Sequence, residues 1–121
     1  MHGGGFSPDK YLDETMRKGM ISIVLLMLIK KKSTYPYAMM KAFKKSHHEM
    51  LRRMNKSQVY NILGALERDG FVKSRIKRAG LKEQKVYSTT KKGDAVASSF
   101  GKIFLRFFEE AKSLIKSEFS G

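Results

Sequence analysis

A chain of 121 residues is one domain's worth of sequence, and 41% apolar with 30% charged residues is the composition of a folded domain rather than a disordered one. With no Cys, disulfides, zinc–thiolate sites and thiol catalysis are excluded outright. Lys and Arg number 25 against 11 Asp and Glu, a net charge of +14. That excess is concentrated: residues 30–92 carry 18 basic and four acidic side chains, and the rest of the chain carries seven of each. A basic block on a small domain points to a polyanionic partner. The competing reading is a solvated lysine-rich face of the kind found in thermophilic proteins, which two Asn and two Gln favour and eight Met do not. The longest apolar run, Ile21 to Ile29, holds nine residues where about 20 are needed to cross a bilayer. The N-terminus also lacks the basic-then-apolar order of a secretion signal, so a cytoplasmic protein with no membrane partner is expected.

In chain order, residues 1–7 read as a flexible N-terminal tail. Ser7-Pro8-Asp9 opens a helical extension with a hydroxyl cap, a first-turn proline and an acid at the positive end of the dipole. Gly19 is expected to break that extension. Met20 to Ile29 is apolar nearly all round and ends in Lys30-Lys31-Lys32, which predicts a buried helix with cations at its negative end. Ser33-Thr34 can cap a second helix whose first turn suits Pro36 and whose inner face is Tyr37, Met40 and Phe43. A polar connection from His47-His48-Glu49 through Arg52 and Arg53 follows.

Asn55-Lys56-Ser57-Gln58 is the clearest local signal. It is a capping box with Asn at the N-cap and Gln at N3, followed by an apolar stripe of Val59, Ile62, Leu63 and Leu66 and closed by Asp69-Gly70. The period then changes to two: residues 71–77 and 83–89 predict strands, with a turn over residues 78–82. Thr89 or Thr90 caps a last helix with a sustained apolar face to Phe119.

Helix, helix, capped helix, basic hairpin and long helix is the order of a winged helix-turn-helix, an α+β fold that is mainly α with one small hairpin. A rigid, capped third helix suits entry into a DNA major groove. On its outer face Gln58 and Asn61 can pair with adenine edges, and Lys56 can reach phosphate or guanine. For Gln58 the alternative is that the capping bond consumes the side chain; for Asn61, that it is merely exposed; for Tyr60, that the ring is packing. Lys77, Arg78, Lys82 and Lys85 surround Gly80 on the hairpin and read as phosphate or minor-groove contacts.

Three segments resemble PadR-type transcriptional regulators: Ser33-Thr34-Tyr35-Pro36-Tyr37-Ala38-Met39, the run from Gln58 to Val72, and the run from Lys85 to Gly93. The resemblance covers about residues 19–93, and Tyr37, Tyr60 and Tyr87 fall on tyrosines typical of the family. Pro36 stands where the family usually has glycine. The resemblance implies a dimeric DNA-binding regulator with residues 8–92 as the DNA-binding domain and residues 93–121 as a C-terminal dimerisation helix. It adds Ser33, Tyr35, Tyr37 and Tyr60 to the candidate DNA-binding residues, beside Ser57 on the outer face of the capped helix.

The last helix is too apolar for a lone helix on a small domain. One face can cover Ile23, Leu26 and Met27; Val96, Phe100, Ile103, Phe104, Phe107, Ala111 and Leu114 call for a second copy. The alternative is a compact monomer that buries them all. The expected function is a sequence-specific DNA-binding regulator, a repressor acting as a homodimer on double-stranded DNA with a palindromic operator. The alternative is a non-specific architectural DNA-binding protein. An enzyme is not expected: no phosphate loop, nucleophile elbow or paired acids occur, and His47-His48-Glu49 lacks a third ligand at metal spacing. No cofactor or metal is expected. A hydrophobic small-molecule effector between subunits is the weaker extension, since the tryptophan that some small family members use for this is missing.

Overall fold

The computed structural model describes residues 14–119. The expected tail and the helix start at Ser7-Pro8-Asp9 lie outside the described residues. Helix α1 (Glu14–Lys31) runs through Gly19 without a break, correcting the expected interruption. A glycine in a helix interior costs about 1 kcal/mol. Ile21, Leu25, Leu26 and Ile29 on the same helix are all at most 3% exposed, and each such burial stabilises by about 1.5–3 kcal/mol. Packing therefore outweighs the local preference.

Helix α2 (Pro36–Lys44) takes Pro36 at its start as expected, but its N-cap is Tyr35 with no side-chain cap bond, not Ser33 or Thr34. Residues before proline are driven to extended backbone. Here that residue is Tyr35 (φ −123°, ψ 159°); one position earlier, Thr34 pairs with a strand residue: its N–H donates to the Tyr87 carbonyl at 3.1 Å, and the Tyr87 N–H donates back at 2.7 Å. The polar connection expected after α2 holds a single helical turn, α3 (Glu49–Arg52), where His48 Nδ1 accepts the Met50 N–H at 3.1 Å. Met50 and Leu51 pack partly against the core, which is what holds so short a helix in place.

Helix α4 (Lys56–Arg68) begins with the predicted capping box. Asn55 Oδ1 accepts from the Gln58 N–H at 2.8 Å, and Gln58 Oε1 accepts from the Asn55 N–H at 3.0 Å. Strands β1 (Val72–Ala79) and β2 (Lys82–Thr89) pair antiparallel, with Val72 opposite Thr89 and Ala79 opposite Lys82. They run closer to the tip than expected, leaving a two-residue turn, Gly80-Leu81. Gly80 has φ +67° and Leu81 is not in the left-handed region, the pattern of a type II′ hairpin. Helix α5 (Lys91–Phe119) has 29 residues, a length of roughly 44 Å.

The core gathers Leu25 and Ile29 of α1, Met39 of α2, Val59 and Leu63 of α4, and Val72 of β1, all at most 2% exposed. At the joint between α4, β1 and α5, Thr90 Oγ1 accepts the Gly93 N–H at 3.0 Å and donates to the Gly70 carbonyl at 2.6 Å. Lys92 Nζ donates to the Asp69 carbonyl at 2.8 Å. Gly93 itself lies so close to the preceding turn that a Cβ there would stand 1.8 Å from the Phe71 carbonyl oxygen. The start of α5 is thereby clamped onto the exit of α4.

Candidate nucleic-acid interface

The buried stripe of α4 (Val59, Ile62, Leu63, Leu66) turns Ser57, Asn61, Gly64 and Arg68 outward, all exposed and spaced along one helical face. The capping box fixes where that face begins. It also commits one lone pair of Gln58 Oε1 and the orientation of its amide to the cap, so half-buried Gln58 is less free than Asn61 to make the paired donor–acceptor contact to adenine. Asn61 makes no side-chain hydrogen bond among the described residues and keeps both amide atoms for a partner.

On one flank, Lys56 Nζ stands 5.8 Å over the Tyr60 ring, and Lys41 Nζ 5.7 Å over the Tyr37 ring. Tyr37 is 66% exposed and stacks on half-buried Tyr35 with ring centres 6.5 Å apart. Between α2 and α4 lies a groove of about 380 Å³ lined by Tyr37, Lys41, Lys44, Lys56 and Tyr60. On the other flank, Gln58 and Asn61 share a smaller cleft with Arg17 and Lys18 of α1. Ser33 is exposed at the connection between α1 and α2, beside the Thr34–Tyr87 bridge.

The hairpin is joined to α4 through Glu67, whose carboxylate accepts from Ser74 Oγ at 2.6 Å and lies 3.9 Å from Lys85 Nζ. Lys85 Nζ also stands 5.7 Å over the Tyr87 ring. Arg78 pairs with Glu83 directly across the strands at 3.1 Å. Two of the four wing cations thus lean on the protein, and Lys77 and Lys82 carry no ion pair among the described residues. Exposed pairs contribute little, so Arg78 and Lys85 can still exchange a carboxylate for a phosphate.

Lys41, Lys44, Arg17, Lys18 and Arg68 are absent from the sequence-derived candidates. The 57–61–64–68 spacing was readable for Arg68, and the outward side of α2 for Lys41 and Lys44. Arg17 and Lys18 could not be found that way, because their place beside Asn61 depends on how α1 crosses α4. On α5, Phe100, Ile103, Phe107 and Leu114 are 49–65% exposed, with Val96, Phe104 and Ala111 half-buried along the same face. Gly101 and Ala97 face α1 instead, Gly101 against the Met27 side chain.

Three helices around a capped outward-facing helix, followed by a basic two-stranded wing, define a winged helix-turn-helix protein. The model of the transcriptional regulator PadR-like family matches residues 25–99, and the chain belongs to that family. Among solved structures, it is similar to a PadR-like transcriptional regulator from Bacillus cereus, with 18% identity, a TM-score of 0.73, and 84% of this chain and 97% of that one covered. A PadR family regulator from Eggerthella lenta gives 20% identity and a TM-score of 0.69, with 86% and 88% covered. PadR of Bacillus subtilis, solved in complex with operator DNA, is 26% identical with a TM-score of 0.58 over 67% of this chain and 45% of its own. Comparison with curated proteins gave no match. No helix among the described residues is long and apolar enough to cross a membrane.

Proposed function

We propose that the chain is a sequence-specific DNA-binding repressor that acts in the cytoplasm as a homodimer on a palindromic operator. The observation that carries this reading is the outward face of α4. A reciprocal cap fixes its N-terminus, Ser57 and Asn61 project from it without side-chain partners among the described residues, and cations of α1, α2 and the wing flank it. The complex of the Bacillus subtilis relative with operator DNA supports it. α4 enters the major groove, Asn61 contacts a base edge, Lys56 and the wing cations hold phosphates, and Tyr37 and Tyr60 flank the backbone.

The apolar face of α5 supports the dimer, in which a twofold axis sets two copies of α4 about one helical turn apart along the duplex. A trough lined by Met20, Phe100, Ile103, Phe104, Phe107 and Phe108 lies on the same helix, and a flat hydrophobic effector is proposed to bind there between subunits. Selection of bound duplexes from a random pool by the full-length chain tests the function. A palindromic consensus bound at least tenfold better than random DNA is expected; equal affinity for both would leave only a non-specific architectural protein. Titrating hydrophobic dyes against the selected complex tests the effector, since by linkage a compound that leaves DNA affinity unchanged is not one.

A further inference from the structure

The turn of the wing carries a side chain that the hairpin does not require. Gly80 supplies the positive φ of the two-residue turn, and the second position is ordinarily filled by a small polar residue such as Asn, Ser or Thr. Here it is Leu81, with a relative exposure of 106%, as free of contact as a side chain can be. Eight residues per strand give the wing about 26 Å of reach, so Leu81 stands at its far end. Lys77, Arg78 and Lys82 lie within four residues of it. The base of the wing is tied to α4 by the hydrogen bond from Ser74 Oγ to the Glu67 carboxylate.

We propose that Leu81 is an apolar wedge for the minor groove of DNA next to the major groove that α4 occupies, a role that rests on the DNA-binding reading above. The flanking cations hold the tip against the phosphates on either side of a narrow groove, and the tight turn is slim enough to enter it. A leucine side chain has no donor or acceptor, so it cannot read base edges. What it reads is how readily a base step opens. Pyrimidine–purine steps such as TA unstack easily, and the exocyclic amino group of guanine obstructs the groove floor. The wing therefore contributes preference at positions outside the α4 contacts, together with a bend in the duplex. A cationic tip with an exposed leucine would also suit an anionic membrane surface. Its tie to α4 through the Ser74–Glu67 bond favours DNA, because it sets the tip beside the reading helix on the same side of a duplex.

The experiment uses the full-length chain and the duplex it selects, with each flank step set in turn to TA or to GG and with guanine replaced by inosine, which removes only the minor-groove amino group. Affinity and the distance between fluorophores on the duplex ends are measured for the parent, Leu81→Ser and Leu81→Met. For the parent, one flank position is expected to prefer TA over GG by roughly tenfold, with inosine restoring most of the loss and with a bend on binding. Leu81→Ser is expected to cut that preference to about twofold or less and to reduce the bend, with its salt dependence unchanged because the cations remain; Leu81→Met is expected to behave as the parent. A Leu81→Ser protein with the parent's flank preference and bend overturns the proposal. So does Leu81-dependent binding to anionic phospholipid vesicles with no effect of Leu81 on DNA. A parent that binds no duplex overturns the DNA-binding reading as well, so the two failures are told apart.

Discussion

The α4–wing half and the α5 half of this chain are built on opposite economies of surface. Residues 30–92 hold the whole net charge of +14, and their outward side chains are Lys, Arg, Asn, Ser and Tyr. On α5 the charges are mixed, and the exposed side chains that stand out are Phe100, Ile103, Phe107 and Leu114. Apart from Ile76 and Leu81 on the hairpin, the first half has spent its large aliphatic residues on its own core and displays groups suited to a polyanion. The second has apolar surface left over, which in water calls for a matching apolar surface. On the function proposed above, one half is fitted to a partner of opposite charge and the other to a copy of itself. The Thr90–Gly93 joint packs the start of α5 directly onto the exit of α4.

The largest expected effect breaks the α5 half alone. Polar substitution of Phe104 and Phe107 together is expected to give monomers by light scattering and to lower operator affinity by about 10²–10⁴-fold, because each half-site then binds without its linked partner. The parent mass in that variant would remove α5 from the dimer interface. Next comes the joint. Gly93→Ala forces a methyl group into the Phe71 carbonyl and is expected to cost about 3 kcal/mol or more in urea unfolding, since backbone on both sides leaves no soft atom to yield. A Gly93→Ala protein as stable as the parent would mean that α5 can shift off the α4 exit, and the two halves would then be hinged.

What the sequence made legible follows the range of the forces involved. The Asn55/Gln58 box, the α4 stripe, Gly70 at the helix exit and the Thr90 cap are local features, and each stands where the pattern put it. At Gly19 and Thr34 the structure departs from the local pattern because distant contacts decide them. Packing of Ile21 and Leu25 carries α1 through the glycine, and Tyr87, more than 50 residues on, takes Thr34 into a bridge. The wing turn is shorter than the pattern suggests, because residues 78–79 and 82 alternate too little for a period of two to reveal them as strand. In the candidate interface, the charge count singles out residues 30–92, and the pairing of Arg78 with Glu83 and of Lys85 with Glu67 needed the register.

Two smaller effects sharpen the contrast within the basic half. Asn61→Ala is expected to cost about 1–3 kcal/mol on the selected operator and much less on random DNA, measured by titration at fixed salt, if its free amide meets a base edge. Equal losses on both would make Asn61 a backbone contact and shift sequence reading toward Ser57 and Arg68.

The smallest effect separates the halves by charge alone. Lys82 on the wing and Lys102 on α5 are both exposed lysines, so a lysine-rich coat for solubility would make them equivalent. If the wing holds phosphates, they are not. Each phosphate contact contributes about 0.9 to the slope of log affinity against log salt, and in a homodimer every substitution removes its contact twice. Lys82→Ala is therefore expected to reduce the slope by about 1.8, with specific and random duplexes weakened alike, because a phosphate contact carries no sequence information. Lys102→Ala is expected to leave the slope where it was. Identical slopes for the two variants would place the wing away from the DNA backbone, and the +14 of the middle segment would then act only as a diffuse field that steers the duplex toward the protein.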